Sequence, residues 1–331
     1  MDFTDKTILI TGGTGSLGKQ IVRRLATGEK GNFKKIIIFS RDEDKHYQMS
    51  LDWKKYKDLL EFRVGDVRDY ASVLSAMRDV NIVIHAAAMK QVPLCEYFPL
   101  ESVKTNIYGM VNIIQAIKEN SLPVEIVVAI STDKACQPVN TYGMCKAIQE
   151  RMAIESNISI DKKDVRVVVV RYGNVMASRG SIIPLFQKQI LTQKVLTLTC
   201  GQMTRFMMSI DDSVNTIFTA IEKANQGEIY IPKIPAARII DIVNIMTCGR
   251  NIKIENIGIR PGEKIHESLI SLEESVRTIE EGDYFVVTPF FLELKSRHIN
   301  MIEPSIISSE DFVLSQENLR ILLKKEGHLN F

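Results

Sequence analysis

The chain has 331 residues, 45% of them hydrophobic and 25% charged, enough to bury a core and too few for more than about two domains. Its 42 basic and 40 acidic residues leave a formal charge of +2, so nothing in the balance marks a nucleic-acid or membrane partner, and any anion must be met locally. Five scattered cysteines without a CxxC pair exclude a disulfide framework and point to a reducing cytoplasm, and five unclustered histidines predict no metal.

The N-terminus enters a strand within a few residues, without the basic-then-apolar pattern of a signal, and no apolar run approaches the ~18 residues that span a bilayer. In TILITGGTGSLGKQIV a strand, a glycine turn and a helix over Leu17 to Leu25 follow one another, with Gly12, Gly15 and Gly18 three residues apart. That spacing suits a dinucleotide pyrophosphate: the first glycine permits the turn, the second lets backbone N–H groups reach the phosphates, and the third allows close helix–sheet packing. Thr14, Ser16 and Leu17 complete the expected loop.

The second strand, IIIF, runs into SRDEDK, with Ser40 where an NAD site usually carries an acid for the ribose hydroxyls, and with Arg41 next. A serine and a guanidinium suit a 2′-phosphate, which favours NADP over NAD. After the third strand, GDVRD puts Asp66 and Val67 near the adenine, with the Asp66 carboxylate able to accept from the amine. IVIH is the fourth strand, and the HAAAMK that follows sets the small side chains of Ala86, Ala87 and Ala88 beside the cofactor.

EIVVAI and VRVVVV are further strands, and helical spacing recurs between the strands, over Ala71 to Met77, Val103 to Ile117 and Ala147 to Ile154. The alternation predicts an α/β fold, a Rossmann-like doubly wound parallel sheet covered on both faces. Beyond Gly173, prolines from Pro184 to Pro304 break the rhythm into short mixed elements. We therefore expect a dinucleotide-binding domain over residues 1–173 and a smaller mixed lobe over 174–331, with the chain returning in part to the first and a helical pattern at Glu310 to Lys325 in the tail.

Downstream of the strand end Ser131-Thr132, Tyr142 and Lys146 stand at i and i+4 and share a helix face. An ammonium beside a phenol favours the phenolate, so Tyr142 is the candidate base, with Lys146 tuning it and both touching the cofactor.

Taken in order, TGGTGSLG, FSRDE, AAAMKQVP, STDKA, YGMCK, RYGNV with SRGSIIP, TRF and RPGEKIHE resemble the extended short-chain dehydrogenase/reductase superfamily, and within it the inverting UDP-N-acetylglucosamine 4,6-dehydratases, to about residue 290. The resemblance implies a UDP-sugar substrate, a tightly held NADP regenerated in each turnover, and a homo-oligomer. Retaining dehydratases of the superfamily follow the Thr-Asp pair with glutamate, whereas the inverting group has lysine, here Lys134.

The implied chemistry uses Tyr142 as base at the sugar 4-hydroxyl, Lys134 as base at carbon 5 and Asp133 as acid at the 6-hydroxyl, with the cofactor taking a hydride from carbon 4 and returning it to carbon 6. A protonated Asp133 beside a neutral Lys134 has the proton count of the ion pair, and burial is expected to favour that neutral arrangement. For the substrate, the resemblance implies Arg205 and Arg260 on the diphosphate, Glu263 on the uridine ribose, Asn174 and the loop from Ser178 to Pro184 against the nucleotide, Lys90 near the sugar, and Thr132 beside it. Cys145 and Met207 depart from the family pattern and are expected to reshape the sugar pocket. The rival readings are a retaining dehydratase or 4-epimerase of the same superfamily, and a non-catalytic NADP-binding regulator.

Overall fold

The computed structural model describes residues 3–329 except 162–163, 177, 179, 193–194, 295–296 and 298–299. Six parallel strands, all but the third rich in β-branched residues, are β1 (Thr7–Thr11), β2 (Lys35–Ser40), β3 (Leu60–Val64), β4 (Ile82–His85), β5 (Ile126–Ile130) and β6 (Arg166–Val170). Every residue of β1, β4 and β5 is buried, as a strand covered on both faces requires. Spatial order β3-β2-β1-β4-β5-β6 makes this the Rossmann-like doubly wound sheet that the sequence predicts, with the order reversing between β1 and β4. A ligand crevice belongs outside the carboxyl ends of those two strands.

Three strands from beyond residue 174 extend the sheet past β6: Ile229–Pro232 runs parallel to it, and Tyr284–Val287 and Thr278–Glu281 follow antiparallel. The proline-broken segment thus feeds the main core through Ile229, Ile231, Val286 and Val287. A second apolar cluster joins Met176, Ile183, Phe186, Leu196, Met203, Met207, Ile242 and Met246.

The helix Ser16–Ala26 begins where the glycine turn predicts, and Tyr70–Met77, capped by Asp69, begins one residue before the Ala71 to Met77 read from spacing. The pattern read over Val103 to Ile117 resolves into Pro99–Val103, a π-turn over Lys104–Tyr108, and Gly109–Glu119. Within that turn, Asn106 accepts from Met89 N–H at 2.9 Å and donates to Met89 O at 2.9 Å, pinning the segment after β4 beside the crevice. The helix carrying Tyr142 spans Thr141–Ser159, longer than Ala147 to Ile154, because Asn140 caps it by accepting from Gly143 N–H at 2.8 Å. The tail helix is Gln316–Lys325, starting at the Ser315 cap rather than at Glu310, and it packs Leu319 and Leu323 into the second cluster.

Candidate functional site

At the carboxyl ends of β1 and β4 opens a cleft of about 1260 Å³ that continues between the two apolar clusters. Gly12 turns the chain at φ +68°, and a Cβ there would meet Ala87 N at 2.9 Å, so only glycine fits against the segment after β4. Gly15 precedes the helix Ser16–Ala26 and offers no capping side chain, and a helix N-terminus of this kind suits an anion. Thr14, Ser16, Leu17 and Gly18 line this end, with Thr14 Oγ1 2.8 Å from Ser40 Oγ.

Ser40 Oγ is also 2.9 Å from His46 Nε2, and Arg41 is exposed at the rim with Nη1 3.7 Å from Asp66 Oδ2. Val67, Ala86, Ala87 and Ala88 line the cleft, but Asp66 does not. Its carboxylate accepts from Arg68 Nε at 2.9 Å and Arg68 N at 3.0 Å; burial raises its pKa, but the Arg68 bonds outweigh burial and hold it below the ordinary aspartate value.

Deeper in the cleft, Thr132 and the turn Asp133–Ala135 follow β5. Thr132 Oγ1 donates to Asp133 Oδ1 at 3.0 Å, and Asp133 N–H is held by Tyr172 O at 3.0 Å, which fixes the turn to the chain after β6. Lys134 Nζ is 3.1 Å from Asp133 Oδ1 and 3.1 Å from Glu267 Oε1. Asp133 is fully buried and its Oδ2 has no hydrogen-bond partner. Burial raises the Asp133 pKa, Lys134 opposes this, and Glu267 adds to it.

Lys134 does not show the free amine expected from burial alone. Burial lowers the pKa of its ammonium, but Asp133 and Glu267 together outweigh burial and hold it above the ordinary lysine value. Glu267 is the residue that sequence reading passed over, and its signal lay in plain view as the last letter of RPGEKIHE.

Tyr142 and Lys146 both line the cleft and both are buried. Burial raises the Tyr142 pKa, and although Lys134 and a hydrogen bond with Thr132 lower it, burial prevails and holds the phenol above its ordinary value, against the ready phenolate that the sequence predicts. The cation that acts on the phenol here is therefore Lys134. Lys146 Nζ donates to Ile130 O and to Gln149 Oε1, and burial pulls its pKa down to about 7. A Cβ on Gly143 would fall onto the Lys134 carbonyl, so glycine in YGMCK allows the helix to close on the turn.

Lys90, Asn174, Ser178, Arg205, Arg260 and Glu263 line the outer half. Lys90 Nζ is 3.4 Å from Ser178 Oγ, and Asn174 Oδ1 and Ser181 Oγ are buried without hydrogen-bond partners. Residue 179 of the SRGSIIP loop lies outside the described residues. Arg205 donates to Thr204 O at 2.7 Å, Ile265 O at 3.1 Å and Lys264 O at 3.0 Å, so its guanidinium is clamped in place. Arg260 is exposed, and its N–H donates to Glu263 Oε2 at 3.1 Å. Neither Cys145 nor Met207 lines the cleft: Cys145 Sγ accepts from Ser102 Oγ and Met207 sits in the second apolar cluster.

All five cysteines are free, and among the described residues no helix is long and apolar enough to cross a membrane. Residues 8–289 match the model of a family described as polysaccharide biosynthesis protein. The chain is similar to the UDP-N-acetylglucosamine 4,6-dehydratase (inverting) of Campylobacter jejuni, 45% identical over 288 residues that cover 87% of this chain and 84% of the relative. It is also similar to a protein of Rickettsia canadensis named UDP-glucose 4-epimerase, 46% identical over 286 residues that cover 86% and 83%. Among solved structures, Pen from Bacillus thuringiensis superposes with a TM-score of 0.92 at 36% identity, covering 99% of this chain and 100% of its own.

Proposed function

The chain belongs to the polysaccharide biosynthesis protein family, among the inverting UDP-N-acetylglucosamine 4,6-dehydratases of the extended short-chain dehydrogenase/reductases, and we propose that it removes water from UDP-N-acetylglucosamine and inverts carbon 5. The observation that carries this reading is the Lys134 ammonium seated 3.1 Å from the buried Asp133 in the cleft that Tyr142 also lines. The curated inverting dehydratase from Campylobacter supports the same substrate class.

The cleft fits a nicotinamide dinucleotide. Cβ atoms are excluded at Gly12, the helix Ser16–Ala26 begins without a capping side chain, and Arg41 stands at the rim beyond Ser40, which favours NADP. When bound, the nicotinamide supplies reversible hydride acceptance, first from carbon 4 and finally toward carbon 6.

The chain's own groups move the protons. Tyr142 must first lose its phenol proton, which burial opposes and Lys134 and Thr132 favour; it then takes the proton of the 4-hydroxyl, and the resulting 4-ketone acidifies the hydrogen on carbon 5. In the resting pair Lys134 carries the proton; its transfer across 3.1 Å to Asp133 Oδ1 leaves an amine and a carboxylic acid without exchange with solvent. The amine then takes the carbon 5 proton and the acid protonates the departing 6-hydroxyl, which restores the ion pair; once carbon 6 has received the hydride, carbon 5 takes a solvent-derived proton on the face opposite Lys134, which inverts it, and Tyr142 gives up the 4-hydroxyl proton to solvent. Arg205, Arg260, Asn174 and Ser178 would hold the diphosphate side of the substrate, Glu263 the uridine ribose and Lys90 the sugar.

A second reading, 4-epimerisation, is favoured by the Rickettsia relative's name. It needs Tyr142 but leaves Asp133 and Lys134 without a task. Purified protein is to be incubated with UDP-N-acetylglucosamine in deuterated water and the products resolved by mass spectrometry and NMR. A 4-keto-6-deoxy sugar with deuterium at carbon 5 and inverted stereochemistry is expected; an isomeric sugar of unchanged mass would establish the epimerase instead.

A further inference from the structure

Glu267 lies outside the steps just described, yet its carboxylate reaches the group at their centre. It is 3% exposed, and its Oε1 stands 3.1 Å from Lys134 Nζ and 4.0 Å from Arg205 Nε. Its Oε2 has no hydrogen-bond partner, and the nearest cation on that side is Lys264 Nζ at 3.9 Å.

The backbone of Glu267 is fixed from behind. Its N–H donates to Ser309 Oγ at 3.0 Å, its carbonyl accepts from Ser309 N–H at 2.8 Å, and Ser309 Oγ is 2.6 Å from Thr204 Oγ1. The carboxylate is thus a rigid post facing a flexible four-carbon side chain, which on its own would sample many rotamers.

Two carboxylates share the Lys134 ammonium, and their surroundings separate them. Asp133 is pushed up by burial, and Glu267 pushes it further against the pull of Lys134. Burial pushes Glu267 up as well, but Lys134 and Arg205 outweigh it and hold Glu267 below the ordinary glutamate value. When environments drive two neighbouring acids apart in this way, they take different roles.

We propose that Glu267 is a positioning residue: its carboxylate, anchored through Ser309, seats the Lys134 ammonium against Asp133 and ties that pair to Arg205. The inference rests on the dehydratase reading above. In the exchange step one Lys134 N–H bond breaks as an O–H bond forms on Asp133, and Glu267 keeps its single negative charge throughout. The charged groups facing Lys134 are Asp133, Glu267 and Arg205, with the Tyr142 phenol beside them.

The test compares Glu267→Gln and Glu267→Asp with the wild type as full-length, cofactor-loaded enzymes. Lysine side-chain NMR follows the titration of Lys134, assigned by its loss in Lys134→Ala. Removing an anion destabilises the ammonium, so Glu267→Gln is expected to lower the Lys134 titration by about one pH unit or more, with Glu267→Asp between it and wild type. The rising limb of carbon 5 deuterium exchange against pH should shift by the same amount, with kcat reduced about tenfold or more, KM held within a factor of about three, and partial rescue by Glu267→Asp.

If Glu267→Gln unfolds, Glu267→Asp carries the test alone. A Lys134 titration and pH limb that stay at their wild-type positions in a folded variant overturn the proposal. A wild-type enzyme that retains the water of its UDP-sugar overturns the dehydratase reading instead, while the NMR titration, which needs no turnover, still reports on Glu267.

Discussion

Arg171 and Lys134 are both cations held between two buried carboxylates, and the difference between their surroundings separates a structural cluster from a chemical one. Arg171, just after β6, uses all five of its N–H bonds. Nε and Nη2 donate to Glu150 at 2.9 and 2.6 Å, Nη1 and Nη2 each donate to Glu274 at 2.7 Å, and Nη1 also reaches Leu269 O at 2.8 Å. Ser131 Oγ and Ser271 N–H supply further donors to the same two carboxylates. Around Lys134, by contrast, Asp133 Oδ2 and Glu267 Oε2 are buried without partners, and the lysine side chain is 19% exposed to the cleft. A saturated network fixes its elements in place; one with spare acceptors and an open side keeps a proton transferable.

The comparison is broken most directly at Asp133. Asp133→Asn keeps the size and leaves Lys134 paired with Glu267, so no cation is stranded. Dehydration should fall by about 10²–10⁴-fold, the usual contribution of a general acid. Single-turnover absorbance of reduced nicotinamide should still appear, because oxidation of carbon 4 precedes the step that needs the acid. The urea midpoint should stay at or above that of wild type, since a buried carboxylate with an unpartnered oxygen has been removed. A large loss of stability would place Asp133 with the structural cluster.

Arg171→Met makes the opposite cut. It strands Glu150 and Glu274 in the interior, and breaking a buried pair in this way costs about 3–5 kcal/mol. Denaturant unfolding should show that loss, while the fraction that remains folded in the cold keeps its turnover. If turnover per folded molecule disappears as well, the two clusters act as one.

How differently the two were legible in the sequence follows from how they are built. Five of the six strands announced themselves as β-branched runs, and the glycine turn as a spacing, because both are local, whereas β3, LEFRV, was placed only by the GDVRD that follows it. Asp133, Lys134, Tyr142 and Lys146 lie within fourteen residues of one another and were legible for the same reason. Arg171 meets Glu274 across 103 positions, and Lys134 meets Glu267 across a similar distance in the chain. Those meetings are made by the later segment folding back onto the turn after β5, through Ser268–Ile270 and the short helix Leu272–Ser275. Proline-broken stretches carry no periodicity that predicts such a return, and the strands Thr278–Glu281 and Tyr284–Val287 were missed with it.

Acid sharpens the contrast, because one carboxylate of each cluster, Glu274 and Asp133, responds to pH with opposite sign, while Glu267 is lowered as Glu274 is. Burial raises the Glu274 pKa, but Arg171 more than compensates and holds it at about 2, below the ordinary 4.5. Its contribution to stability is complete above pH 4.5 and is lost as pH falls toward 2. Asp133 is held above the ordinary aspartate value, so its ionisation on raising the pH opposes folding. Stability measured against pH should lose part of its acid slope in Glu274→Gln, whereas Asp133→Asn should remove a component of the reverse slope. Slopes unchanged in both variants would remove the electrostatic distinction between the clusters.

The smallest effect is expected where the clusters touch. Ser131 directly follows β5, donates to Glu150 Oε1, and stands two residues before Asp133, so it is the covalent and hydrogen-bonded link between the saturated network and the turn that holds Lys134. In Ser131→Ala, Glu150 loses one donor but keeps both bonds from Arg171, and one hydrogen bond to a charged group is worth about 1.5–3 kcal/mol. The turn itself remains fixed by Tyr172 O on Asp133 N–H and by Thr132 on Asp133 Oδ1, neither of which involves the serine hydroxyl. We therefore expect a loss of about 1.5–3 kcal/mol in denaturant unfolding and no change in the pH profile of carbon 5 exchange. A shifted profile with little loss of stability would mean that the Arg171 network sets the proton affinity of Asp133 through Ser131, and the turn would then be tuned from its structural side.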